Sequence, residues 1–385
     1  MKQKKTVTAL SLAFLLLVSS VAASAGDSQP RQLPTASYKD LQPLSRAFSL
    51  LQLVDLQSRD SRTFLYASLA GMIEGFDRYS YFVPPDMVSL FLDDRDDEYV
   101  GIGVHVSRTQ DRNAEVLSVE EGSPAAKAGI APKDLITALD GIPLAAMRSL
   151  DISRLLKGPD NAPGSEIRIR LRRPESPDER ELVLTRKRLK IRTIESRRLQ
   201  NSRGYVRVHQ FKSNTPEELK EAITELRQDG GMEKGLILDL RNNPGGEMVA
   251  SVDVARLFLD SGVIASLESN YPGLNAEFRA DEPAEVREPL VVLINEGSAS
   301  GAELVAGAIK HHRRGPLAGR RTFGKGTFQS FVPLTSEMGA YLTLGRYRLA
   351  DGVSPEGKGV IPDIILDPSS DADTLMIAEQ ILSGP

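Results

Sequence analysis

"INEGSASGAELVAGAI", residues 294–309, closes an apolar run, passes through a turn of small and polar residues, and resumes with apolar residues at helical spacing. The pattern predicts a strand that ends in a tight turn and opens a helix. Two serines sit in that turn, Ser298 and Ser300. Ser300 followed by Glu303 matches a capping box, and Ser298 also suits a cap. A serine at a helix mouth also meets free N–H groups and the positive end of the helix dipole, which favour developing negative charge. Ser300 therefore reads as a cap or as a nucleophile. The second reading needs a base, because a serine hydroxyl is inert at neutral pH.

Outward from this stretch the same strand–loop–helix grammar repeats. "GLILDL" (235–240) runs into "RNNPGG" (241–246) and then "VASVDVARLFL" (249–259). A third glycine-rich turn, "GRRTFGKGTFQ", spans 319–329. Glycine lets backbone approach a ligand closely, and converging backbone amides are what an acyl-transfer oxyanion requires. Gly319 to Lys325 has the glycine–lysine spacing of a P-loop. Gly326, however, stands where Ser or Thr must bind magnesium, and "TFQSFVPL" (327–334) reads as a strand, not the required helix.

Only four histidines are available as bases, His105, His209, His311 and His312. His311 and His312 are adjacent, so they face different sides, and with Arg313 and Arg314 they form a cationic helix end. His209 lies in a strand pattern, "YVRVHQF", and His105 in a different part of the chain, so no Ser-His-Asp set is visible. A lysine serves as base only if its pKa falls from about 10.4, which burial among apolar groups achieves. Lys325, between Gly324 and Gly326 and close to Phe323 and Phe328, is the lysine least like a solvated one. If 325–329 is extended, Gln329 shares a face with Lys325 and Thr327 and can hydrogen-bond the amine.

The remainder divides by texture. Residues 1–25 carry Lys2, Lys4 and Lys5, then "LSLAFLLLVSSVAASA", an apolar run ending in small residues. This predicts an export signal and a periplasmic or cell-envelope location, soluble or N-terminally anchored. Residues 26–95 hold a polar linker and then two amphipathic helices between Tyr38 and Phe76. Residues 96–189 alternate strands and glycine turns, with about five strands and one or two short helices, one of them near Asp151–Leu156, a small β-rich module. The core follows at 190–368, with a tail at 369–385. Of the 385 residues 41% are hydrophobic and 26% charged, and the net charge is −4. Nothing there points to nucleic acid, and the lack of cysteine excludes disulfides and thiolate chemistry.

"GLILDLRNNPGG", "NEGSASGAELVAGAI", "RTFGKGTFQ" and "GKGVIPDI", in this order, resemble the carboxyl-terminal processing proteases of the S41 serine peptidase family. The module before them, with "YVGIGV" and "EGSPAAKAGIAPKDLITALDGIPL", resembles a PDZ domain. The resemblance covers the chain from about Leu41 to Pro368. It implies a multidomain α+β protein: an N-terminal helical segment, a PDZ module and a protease core of crotonase/ClpP-like ββα type. It implies Ser300 as nucleophile, Lys325 as general base and Gln329 as the residue that positions the lysine. It implies an oxyanion hole from the N–H of Gly301 and that of Gly245 or Gly246. Val100, Gly101, Ile102 and Gly103 would form the loop that takes a substrate's C-terminal carboxylate, with the tail added beside the next strand. Its expected partners are proteins with accessible C-termini, an adaptor protein, and a second copy of the chain in a homodimer, with no metal or cofactor. Gly301 and Ala302 depart from the family's usual Ala-Ser, and "LADGVSPEG" (349–357) departs before "GKGVIPD". The competing reading is a non-catalytic PDZ scaffold that binds protein C-termini.

Overall fold

The N-terminal apolar spacing folds as two helices, α1 (Tyr38–Val54) and α2 (Ser61–Glu74), the second capped by Asp60, whose carboxylate accepts the Arg62 N–H. This is a computed structural model, and it describes residues 38–88, 98–109, 111–147, 149–157, 162–173, 178–190, 193–366 and 371–383. The expected export signal and linker lie outside the described residues. Helix α2 packs Ala70 and Ile73 against Phe82 of a short strand, β1 (Tyr81–Val83), while α1 leaves Leu41, Leu44, Leu50, Leu51, Leu53 and Val54 exposed.

The β-rich module contains β2 (Glu98–Gly101), β3 (Val104–Arg108), β4 (Ala114–Val119), helix α3 (Pro124–Lys127), β5 (Leu135–Leu139), β6 (Ile142–Pro143), α4 (Ser149–Lys157), β7 (Glu166–Arg172), β8 (Glu179–Thr185) and β9 (Lys187–Lys190). Its sheet runs β3-β4-β5-β7-β8 with β6 added to β5, and β2 pairs with β9 as a separate ribbon. In β7, Ile167, Ile169 and Leu171 point inward between outward arginines, the period of a half-buried strand. The module has more strands than its alternation predicts. The extra ones are the ribbon, whose halves lie at opposite ends of the module, and the two-residue β6.

The core contains β10 (Ile194–Leu199), β11 (Arg203–Val208), α5 (Thr215–Arg227), β12 (Leu236–Asp239), α6 (Met248–Arg256), β13 (Gly262–Glu268), β14 (Ala276–Ala280), β15 (Leu290–Ile294), α7 (Gly301–His311), β16 (Leu317–Gly319), β17 (Thr327–Pro333), β18 (Gly339–Leu349) and β19 (Ile364–Ile365). Helix α8 (Asp371–Ser383) follows. One sheet runs β10-β11-β12-β15-β16-β19, parallel from β11 onward. Strands β12 and β15 are buried on both faces and read as near-continuous apolar runs for that reason, β12 closing on the buried Asp239. One face meets α5, α6 and α7 in the main core; the other meets α8 through Ile237, Val291, Leu293 and Ala378. A second sheet runs β1-β18-β13-β14, with β17 also on β18. Because β12 and β15 are parallel neighbours, the loops leaving their C-terminal ends lie side by side, where open α/β sheets form ligand crevices.

Candidate active site

The loops after β12 and β15 are joined by side chains. Asn295 Oδ1 accepts the N–H groups of Asn242 (2.8 Å) and Gly297 (3.1 Å), and the Ala299 N–H donates to Asn243 O (2.8 Å). Ser298, fully buried, accepts the Asn295 N–H (3.0 Å) and donates to Leu240 O (2.8 Å), so its hydroxyl is spent on the turn. Ser300 differs. Its φ of 53° and ψ of −113° lie where a side chain is strained, at a cost of about 1–3 kcal/mol. Such a turn thrusts a serine out at the head of a helix, as a nucleophile elbow does. Ser300 borders a cavity of about 430 Å³ together with Gly246, Gly301, Lys325 and Gln329.

Glu303 ties Ser300 to Lys325. It stands at the third position of α7, is fully buried, and its Oε2 accepts the Ser300 N–H (2.9 Å) as the capping-box spacing predicts. The same oxygen accepts the Lys325 N–H (2.8 Å), while Oε1 accepts the Gly324 N–H (2.8 Å) and the Thr322 hydroxyl (2.6 Å). Burial pushes its carboxyl up to about 7 against the pull of these four donors. Tyr347, also buried, sets its hydroxyl 2.9 Å from Ser300 O and 2.7 Å from Lys325 O, a second clamp on the same two residues. Glu303→Ala would strand several buried donors, each costing about 1–3 kcal/mol. We expect a loss of about 3 kcal/mol or more in urea unfolding, with a fall in turnover, and a smaller loss for Glu303→Gln.

The Lys325 amine lies 5.2 Å from the centre of the Tyr79 ring. Burial lowers its pKa below that of a free lysine, with the Glu356 and Glu303 charges opposing and Arg78 adding to the shift. Gln329 borders the same cavity, but its amide donates to Thr327 Oγ1 (2.8 Å), and among the described residues no bond joins it to Lys325. Strand β17 begins directly after Gly326, in line with the exclusion of a P-loop helix.

The candidate oxyanion donors separate. The Gly245 N–H is taken by Asn243 Oδ1 (2.8 Å). Gly246, at φ 137°, has no acceptor for its N–H among the described residues, and Gly301 opens α7, where a helix leaves its first amides free. Gly246 is also where a side chain cannot fit, since a Cβ would lie 2.1 Å from Phe211 O.

The histidines stand apart. His312 Nε2 lies 2.7 Å from Val263 O. His105 and His209 pair with Glu120 (3.4 Å) and Glu195 (3.5 Å) at a separate cleft between module and core.

In the module, Val100 and Gly101 end β2, and Ile102 and Gly103 lead into β3; all four residues are buried. Strand β3 is an edge strand bonded to β4 alone among the described residues. Its Val106, Ser107 and Arg108, with Ile152 of α4, line a cavity of about 200 Å³ whose other wall includes Tyr79, Lys325 and Gln329. The module also touches the loops directly. Leu117 of β4 packs with Ala299 and Phe323, and the Lys133 amine sits 3.5 Å from the centre of the Phe323 ring.

Sequence reasoning missed Tyr347, Arg78, Tyr79 and Glu356, and read Glu303 only as a cap. Their signal lies in tertiary contacts, not in spacing along the chain.

Residues 202–366 match peptidase family S41, and residues 115–173 match a PDZ domain. The carboxy-terminal processing protease CtpA of Bacillus subtilis (strain 168) is 31% identical over 382 residues, covering 94% of this chain and 80% of that protein. A chloroplastic C-terminal processing peptidase of Tetradesmus obliquus is 34% identical over 309 residues, covering 76% of this chain. This chain spans only 65% of that algal protein's length. Among solved structures, a photosystem II D1 C-terminal processing protease superposes with a TM-score of 0.72 at 31% identity, covering 90% of this chain and 93% of that one.

Proposed function

Because this chain belongs to peptidase family S41, among the carboxyl-terminal processing proteases, we propose that it is an exported serine endopeptidase acting through Ser300 and Lys325. It takes protein substrates by their C-terminal tails in the PDZ module and cuts near that end. In this mechanism the neutral Lys325 amine removes the Ser300 proton as Oγ attacks the scissile carbonyl. The Gly246 and Gly301 N–H groups receive the oxyanion, aided by the N-terminus of α7. The resulting ammonium returns its proton to the leaving amine, and the new N-terminal fragment remains esterified to Ser300. Water, deprotonated by the same lysine, then attacks the ester, and the ammonium returns that proton to Ser300 Oγ as the N-terminal fragment leaves with a free C-terminal carboxyl group. Phe211, Met248, Leu304 and Phe328 at the cavity favour an apolar side chain beside the cut.

The observation that carries this reading is the shared cavity of Ser300 and Lys325, with Glu303 binding the backbone of both. The tail would enter beside β3, whose far end opens onto the cavity bordering Lys325. The N-terminal signal is the support for export, and the exposed apolar face of α1 is the support for a homodimer.

A tail-dependence experiment tests the mode of recognition. An unfolded reporter ending in apolar residues with a free carboxylate is expected to be cleaved near that end. The same reporter with a C-terminal amide is expected to lose at least about tenfold in kcat/KM, since charged hydrogen bonds to a carboxylate are strong. Equal rates for both would remove the proposed role of residues 100–103.

A further inference from the structure

Around Lys325, the segment 354–359 lies hard against the glycines on either side of the lysine. A Cβ on Gly326 would sit 2.5 Å from Ser354 Oγ and 2.7 Å from Glu356 N, and one on Gly324 would sit 3.0 Å from Gly359 N. Glu356 belongs to the stretch "LADGVSPEG", whose wording departs from the family. Its Oε2 accepts the Gly326 N–H (2.6 Å), and its Oε1 accepts a bond from the Arg78 guanidinium (2.9 Å). Arg78 comes from the far end of the chain and stacks 4.6 Å over the Tyr79 ring. Asp77 holds this turn by accepting the Tyr79 and Ser80 N–H groups, each at 2.7 Å. Tyr79 in turn carries the Lys325 amine over its ring, and Arg78 shares the smaller cavity with that amine.

We infer that Arg78 and Glu356 are a positioning pair that sets the proton affinity of Lys325, the carboxylate favouring the ammonium form and the guanidinium opposing it. Both side chains are about one-third exposed, and pairs of that kind contribute only about 0–1 kcal/mol to stability. Fold stability is thus a poor reason for the pair, whereas its contacts fall on Gly326, next to Lys325, and on Tyr79, whose ring faces the amine. The other groups facing the amine leave this role open. Tyr79, Tyr341 and Tyr347 are pushed up by burial and stay neutral. Glu303, its carboxyl pushed up by burial, spends both oxygens on four donors and adds to the hold of Glu356 on the ammonium. Arg108 of β3 lies across the smaller cavity and bonds Leu144 O and Met147 O.

The inference rests on the reading of Lys325 as base, so its test reads the amine separately from catalysis. In a Ser300→Ala background, the pH dependence of Lys325 labelling by a trace of acetic anhydride, read by peptide mass spectrometry, reports the amine's titration. Glu356→Gln, which keeps an oxygen for Gly326, is expected to move the midpoint down by about half a unit or more, and Arg78→Gln to move it up by a similar amount. Arg78→Lys should restore the parent value, and the double variant should fall between the single ones. The acid limb of kcat/KM in the active enzyme should follow in the same directions. No shift in labelling, or shifts of one sign in both variants, overturns the inference. Opposite labelling shifts with an unmoved activity limb would uphold the pair's effect on the amine and remove Lys325 as the base. If a variant unfolds, as seen by circular dichroism, Arg78→Lys and Glu356→Asp decide the matter: each retains its charge, and a shift matching the neutral variant's predicted direction and size counts against the pair.

Discussion

Ser300→Ala is expected to fold like the parent protein and to lose hydrolysis of an unfolded reporter by at least about 10⁴-fold, the scale seen when a nucleophile is removed. Alanine bears the same unusual backbone angles as serine, and Glu303 grips the backbone N–H, which the substitution leaves in place. The informative contrast is Ser298→Ala. That hydroxyl bridges Asn295 and Leu240 inside the turn, so its loss should cost stability, about 1–3 kcal/mol for the buried groups left unpaired. The folded fraction should still turn over. Initial rates on the reporter, normalised to folded protein, check both; a Ser300→Ala enzyme as active as the parent removes the nucleophile assignment.

Lys325→Arg is the second large effect, a fall of about 10³- to 10⁴-fold in kcat/KM, because a guanidinium does not give up its proton. The wild-type pH profile should carry the same signature. Burial lowers the Lys325 pKa, so the neutral amine is populated at a lower pH than in a free lysine. Activity is therefore expected to rise with pH through an apparent midpoint below 10.5 and to decline on the acid side as the ammonium forms. A flat profile across that limb, or an arginine variant that retains activity, would point to a different base.

Local pattern alone makes part of this architecture legible. The switch from an apolar run to helical spacing at 294–309 marks β15, the turn and α7, because both periods are written in adjacent residues. The β-branched and aromatic run after Gly326 marks β17 and excludes a nucleotide loop on the same grounds. The choice between Gly245 and Gly246 is not legible, since it depends on the direction of the Asn243 amide. Glu303 is legible only as far as its i, i+3 bond. Its other donors lie 19 to 22 residues further along and meet it only once β16 has joined the sheet. Arg78 and Glu356 stand 278 residues apart, and no periodicity connects them. The family resemblance supplies roles for Ser300, Lys325 and Gln329, but the Gln329 amide bond to Thr327 belongs to the folded geometry.

The contact of Leu117 with Ala299 and Phe323 bears on how this chain can be shortened. A fragment starting after β9 would bare two apolar groups that flank the serine and the lysine, admitting solvent to a centre whose amine depends on being dry. The β-rich module is thus a wall of the cavity that holds Lys325, and cutting the gene at that boundary would yield a core with a breach in it.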